Sequence, residues 1–504
     1  MSVEINGHSL TFEQLYDVVF AGAEVALEPA ARTRMEASRA VVERLITSGK
    51  VAYGVNTGFG ELARVRISAD QIRQLQLNLV RSHACGVGAT LGEAETRAIL
   101  LLRANALAKG LSGVRPIVVD VLSAMLNRRV HPVIPSQGSV GASGDLAPLA
   151  HLALVVIGEG EAIYSGEKLR GREALHRAGI APLQLEAKEG LSLLNGTQGM
   201  HALLALALRE AEILADTADV AAALSLDALR GSPAAFDERL SRARPYPGQA
   251  ASARNLLGLN RGSQIRESHR SAERDPRVQD AYSLRCAPQV HGAVRDAIAQ
   301  VRETAAVELN SATDNPLVFP DTGEVISGGN FHGQPLAMGA DQLAVALATL
   351  GGISERRVEH MTNPHTSLLP AFLTADPGLN SGFMLAQVTA AALASENKAW
   401  ATPHSVDSIP TSGGQEDYVS MGMSAARRLQ PMLENLRNIL AIELLAACQG
   451  IDLLAPLRTG TLTQKARDLV RGVSPQVDAD RSLAPDIAAV AKLIADATLQ
   501  RLLK

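Results

Sequence analysis

Apolar positions recur at helical spacing along most of this 504-residue chain. The pattern predicts helices over residues 11–20, 31–48, 68–83 and 91–108, the third carrying Ile72, Leu75, Leu77, Leu79 and Val80 among polar neighbours. An apolar run occupies 146–157. The later chain is richer in Ala and Leu, and residues 201–230 hold neither proline nor glycine. At 1.5 Å per residue, such a helix spans about 45 Å. Comparable segments are 290–308, 335–361, 382–400 and 419–454, the last interrupted at Pro431. Helices this long and apolar need burial on several sides, which points to a central bundle shared between subunits.

Other stretches break the period. The first residues read as hairpin-like, residues 54–60 as a glycine-rich loop, and 232–275 as shorter helices and loops. A small hairpin is expected over 315–328, where Leu317-Val318-Phe319 and Val325-Ile326-Ser327 flank Asp321-Thr322-Gly323. No repeat, low-complexity tract or linker divides the chain, so residues 1–504 read as one all-α domain with minor β-hairpins. Its approximate parts are 1–200 and 201–504.

Composition narrows the partners. Charged residues are 20 %, the net charge is −4, and no long block has one sign, which argues against nucleic acid or an anionic membrane surface. Aromatic residues, at 3 %, are too few for base-stacking platforms. Cys85, Cys286 and Cys448 lie far apart and match no metal spacing, so no metal is expected and a reducing cytosol is. The N-terminus lacks the basic and apolar regions of a signal peptide, and no run approaches the ~20 apolar residues of a membrane span. The expectation is a cytoplasmic protein.

The stretch with most chemical content is Gln137 to His151, centred on Ala142-Ser143-Gly144 and flanked by Gly138, Gly141 and Asp145. One reading is a glycine-rich turn with Ser143 or Asp145 capping the apolar helix that follows. A second is an anion cradle at a helix N-terminus. A third uses the small size of Ala142 and Gly144. In a tight bend the Gly144 nitrogen can attack the Ala142 carbonyl, and loss of water, the Ser143 hydroxyl included, leaves a methylidene-imidazolone electrophile.

This segment resembles the signature of the aromatic amino acid ammonia-lyase family, whose members form 4-methylidene-imidazol-5-one autocatalytically from Ala-Ser-Gly. The resemblance runs with clear motifs from about Tyr53 to Leu454. It implies an aspartase/fumarase-like helical bundle, a homotetramer with active sites built from several subunits, an amino acid substrate and no external cofactor. Tyr53, opening Tyr-Gly-Val-Asn-Thr-Gly-Phe-Gly, is implied to be a base on a mobile loop, and Tyr282 a second proton-transfer or amine-positioning group. Arg285 is implied to grip the substrate carboxylate through its planar fork, with Gln279 nearby. Asn195 is implied to bond the prosthetic group and substrate, and Phe331 to lie against both.

Two places bear on which amino acid is used. An imidazole ring has two nitrogens that need partners when buried, and a histidine plus a carboxylate can supply both. Histidine-acting members carry Ser-His and Glu at these places, and this chain has Ser82-His83 and Glu416. The implied reaction is non-oxidative elimination of ammonia from L-histidine to give trans-urocanate, the first step of histidine breakdown. Gly413, Gly414 and Tyr418 depart from the family pattern around that glutamate. Alternatives are a tyrosine or phenylalanine ammonia-lyase or aminomutase on the same scaffold, an aspartase/fumarase-type lyase, or a non-catalytic helical assembly in which 141–145 is only a capped turn.

Overall fold

The structure, a computed structural model, describes residues 2–48, 57, 67–68, 71–271 and 277–503. It is 62 % helical with few strands, so the all-α class holds. The chain forms two compact units, each assembled from separated segments. The first contains residues 1–206, 302–341 and 403–427; the second contains 207–301, 342–402 and 428–504.

The long helices fall where the apolar period places them: Gln198–Ala228, Ala287–Leu309, Gln334–Thr362 and Met384–Trp400. The shorter helices Pro29–Ser48, Ile72–His83, Glu93–Ala108 and Leu146–Val156 also follow the pattern, as does the antiparallel hairpin of Leu317–Phe319 with Glu324–Ile326. Between residues 232 and 271 the chain makes four short helical segments, as its Pro- and Gly-rich sequence implies.

Two expectations are corrected. The N-terminal strand Ser2–Ile5 pairs in parallel with Glu24–Leu27, so there is no hairpin. The intervening residues instead start a helix, because Thr11 and Gln14 form a reciprocal capping box at Phe12–Tyr16. A parallel pair needs such a crossover. Further on, the break near 430 falls at Arg428, between Gly422–Arg427 and Leu429–Asp452. Pro431 lies in the first turn of the second helix, where no intrahelical N–H bond is lost.

Within the first unit, Glu93–Ala108 is buried almost throughout, with Arg97, Arg103 and Asn105 enclosed beside Ile99–Leu102. Two small sheets frame the region around it: Val87–Thr90 with Pro135–Gln137, and His131–Pro132, Glu161–Tyr164 and Glu167–Arg170. In the second unit, Leu429–Asp452 packs against Met384–Trp400 and Ala484–Ala495. Its Glu443 is fully buried and bonds Arg357 at 2.5 Å and Ser225 at 2.7 Å. Among the described residues one helix, Gln334–Thr362, is long and apolar enough to cross a membrane, and 61 % of its apolar window is buried.

Candidate active site

The Pro135–Gln137 strand delivers the chain into the Gly138–Gly144 turn, which ends where Leu146–Val156 begins. The turn is fixed from two sides. From one side, the Met421 amide donates to the Val140 carbonyl at 2.9 Å and the Ser420 hydroxyl to the Gly141 carbonyl at 3.2 Å. Ala142 packs with Val419 and Met421. From the other, Gly144 bridges Gly196, and the Asp145 amide donates to the Gly196 carbonyl at 2.7 Å. Gly144 has φ +75°, and a Cβ there would overlap the Gly196 carbonyl. Only glycine is free of both obstacles.

Asp145 occupies the N-cap position of Leu146–Val156, but its side chain makes no cap bond there. Its carboxylate accepts instead from the Met200 amide at 2.7 Å, at the start of Gln198–Ala228, and from the Ser139 hydroxyl at 2.9 Å. Complete burial pushes its pKa up to about 6, against the pull of those bonds. The cap reading of this acid is thus corrected: it ties the turn to a different helix. Ser143 is no cap either, since its hydroxyl donates to Glu416 Oε1 at 3.0 Å.

Glu416 stands on a short bridge with Thr411, whose hydroxyl donates to Glu416 Oε2 at 2.6 Å. His83 ends Ile72–His83, and its Nδ1 lies 2.9 Å from the Leu79 carbonyl and 3.0 Å from Ser82 Oγ. With Nδ1–H given to Leu79, Nε2 is left as an acceptor. Burial lowers the His83 pKa, while the Leu79 carbonyl and the charge of Glu416 act the other way.

Asn195 is the C-cap of Glu189–Leu194 and is buried, with Oδ1 lacking a hydrogen-bond partner among the described residues. Phe331 is half-buried, and the adjacent His332 stacks on Tyr418 at a ring-centre distance of 6.3 Å. Tyr418, one of the departures from the expected pattern, therefore has a defined packing role.

The first unit thus brings together Ala142, Ser143, Gly144, His83 and Glu416, and also holds Asn195 and Phe331. Gln279, Tyr282 and Arg285 belong to the second unit. There the Arg285 guanidinium lies 4.5 Å from the Tyr282 ring centre, its Nε is buried with no partner among the described residues, and Gln279 and Tyr282 are exposed. Tyr53 lies outside the described residues. Among the described residues, no group of three His, Cys, Asp or Glu side chains is placed to hold a metal ion.

Sequence reasoning missed several supports of this site: Thr411, Ser139, Thr197, Gln198, Glu308 and Arg103. The one legible signal was Arg103, a cation inside the stretch Ile99 to Ala108, which is apolar but for Asn105.

A family model described as aromatic amino acid lyase matches residues 10–472. The chain belongs to the aromatic amino acid lyase family. Its relatives in that family include histidine ammonia-lyase of Koribacter versatilis (strain Ellin345), 56 % identical over 98 % of each chain. Histidine ammonia-lyase of Sorangium cellulosum (strain So ce56) is 55 % identical over 98 % of this chain and 97 % of its own. Among solved structures, histidine ammonia-lyase from Trypanosoma cruzi matches with TM-score 0.92 and 45 % identity over 100 % of this chain and 95 % of that one. Tyrosine aminomutase from Streptomyces globisporus matches with TM-score 0.95 at 39 % identity, over 100 % and 98 %. Aromatic amino acid lyases are carbon–nitrogen lyases, so this chain is an enzyme of that class.

Proposed function

We propose that this chain eliminates ammonia from L-histidine to give trans-urocanate, and that Ala142-Ser143-Gly144 carries the family's 4-methylidene-imidazol-5-one. The residues present fit that group. Gly144 has the conformation and bare Cα that ring closure needs, and the buried Asn195 Oδ1 is an acceptor with no partner among the described residues. Asn195 and the Gly144–Gly196 bridge would hold the group. When formed, it supplies the electrophile that turns the substrate amine into a leaving group.

The observation that carries the histidine reading is Glu416, bonded to the Ser143 hydroxyl on one oxygen and to Thr411 on the other, with its charge acting on His83. In this reading the substrate ring binds as an imidazolium, which donates one N–H to His83 Nε2 and the other to Glu416. A phenyl ring would leave both groups without those bonds, at about 1–3 kcal/mol each. Arg285 holds the carboxylate with Asn195, Gln279 stands beside it, and Phe331 closes the side of the site. Tyr53 takes the β-proton and Tyr282 positions the amine.

The Arg285 segment and the Ser143 turn lie in different units, and in the proposed homotetramer each site draws on more than one subunit. We place the enzyme in the cytoplasm, in line with three cysteines all left as free thiols. The test is Ser143→Ala, which keeps the assembly and should remove nearly all activity. Wild-type activity in that variant would overturn the assignment.

A further inference from the structure

Four consecutive residues, Asn195 to Gln198, form the floor on which Gly144 rests, and each is tied by a separate polar contact. The Gly196 carbonyl accepts from Asp145, and the Thr197 hydroxyl donates to Glu308 at 2.5 Å. Arg103 spans the rest: its Nη1 donates to the Asn195 carbonyl at 2.9 Å and to Gln198 Oε1 at 2.6 Å. Gln198 is fixed in turn by donating to the Thr313 hydroxyl at 2.8 Å. The guanidinium lies against the bare Cα of Gly196, where a Cβ would overlap both Arg103 Nη1 and Gln198 Oε1.

Arg103 is fully buried, and its Nε and Nη2 have no partner among the described residues. Burial lowers its pKa to about 10, so it stays protonated at neutral pH. Enclosing a cation with unused donors is costly. Both bonds it does make go to the segment under the turn.

We propose that Arg103 is a positioning residue for closure of the Ala142-Ser143-Gly144 ring, acting through the Asn195–Gln198 segment. The proposal rests on the reading that this tripeptide cyclises. Closure forms a bond from the Gly144 nitrogen to the Ala142 carbonyl carbon, and the Gly144 amide proton passes to the carbonyl oxygen. That oxygen leaves as water with the Ser143 amide proton, which creates a carbon–nitrogen double bond. The Ser143 hydroxyl leaves as a second water with the Ser143 α-proton, which creates the exocyclic double bond. No oxidant or reductant is needed. Arg103 touches none of the reacting atoms; it holds the floor that fixes the Gly144 backbone. A misplacement of about 1 Å in reacting groups costs roughly 100-fold in rate.

The experiment is the mass of the Ser143-containing peptide, taken from folded, soluble full-length protein as a function of time after synthesis. The wild-type peptide should lack two waters. Arg103→Met should lose them about 100-fold more slowly, with circular dichroism unchanged. Thr313→Val, which frees Gln198 but leaves Arg103 in place, should lose them at the wild-type rate. Water loss at the wild-type rate in Arg103→Met would overturn the proposal, as would equal slowing in Thr313→Val. Should Arg103→Met not fold, Arg103→Lys takes its place: it keeps the charge, but its shorter side chain stops short of the place Nη1 occupies, and wild-type water loss there would also overturn the proposal. A wild-type peptide that keeps both waters would instead sink the parent reading.

Discussion

Glu416 spends each carboxylate oxygen on a different hydroxyl, Ser143 on one side and Thr411 on the other. Glu416→Gln would replace one acceptor with a donor while leaving size unchanged. The account predicts that kcat/KM for L-histidine falls roughly 10- to 100-fold, matching loss of one buried acceptor, with little change in melting temperature. Steady-state rates on purified variant protein check this, and unchanged kcat/KM would remove Glu416 from the ring-binding role. Asp145 gives a second prediction. Its folded pKa of about 6 lies above the ordinary 3.8, so the native state binds its proton more tightly than the unfolded chain. Stability from this group is therefore full below pH 3.8 and is lost as pH rises to about 6. The fall in melting temperature from about pH 4 to about pH 6 should be smaller in Asp145→Asn than in the wild type.

At the scale of elements, the second unit is organised around buried polar pairs between long helices. Arg357 and Glu443 are both fully buried, and Ser354 also donates to Glu443 at 2.5 Å. Removing one partner strands a buried charge, so Glu443→Ala should cost about 3–5 kcal/mol, read from the denaturant midpoint. The long helices were legible in the chain because an apolar period sustained over twenty or more residues has no competing interpretation. Apart from the hairpin of Leu317–Phe319 with Glu324–Ile326, the strands were not: His131–Pro132 and Pro135–Gln137 are too short to show alternation. The tripeptide 142–144 was legible from its own small residues. The contact between Ser143 and Glu416 spans 273 positions, and no local pattern encodes it. Asp145 looked like a cap because caps are judged from neighbours in sequence, whereas the amide it satisfies belongs to Met200.

At the scale of the whole molecule, apolar side chains remain exposed on the long helices: Val307, Met338, Val345, Leu385 and Val388. A lone chain would leave these to water, and the proposed tetramer covers surface of this kind. Light scattering should give four times the mass of one chain. The thiols give an independent check on packing, since Cys85 is exposed while burial raises the Cys448 pKa to about 12. A thiol reagent at neutral pH should modify Cys85 readily and reach Cys448 only after unfolding. The central claim is the reaction and its substrate, and ultraviolet absorbance tests both at once. Purified protein is mixed separately with L-histidine, L-tyrosine and L-phenylalanine, whose elimination products are conjugated acrylates with distinct spectra. The account predicts the urocanate band with histidine and no rise with the other two. A rise with tyrosine alone would contradict the roles given to His83 and Glu416, and no rise with any of the three would contradict the chemistry assigned to Ser143.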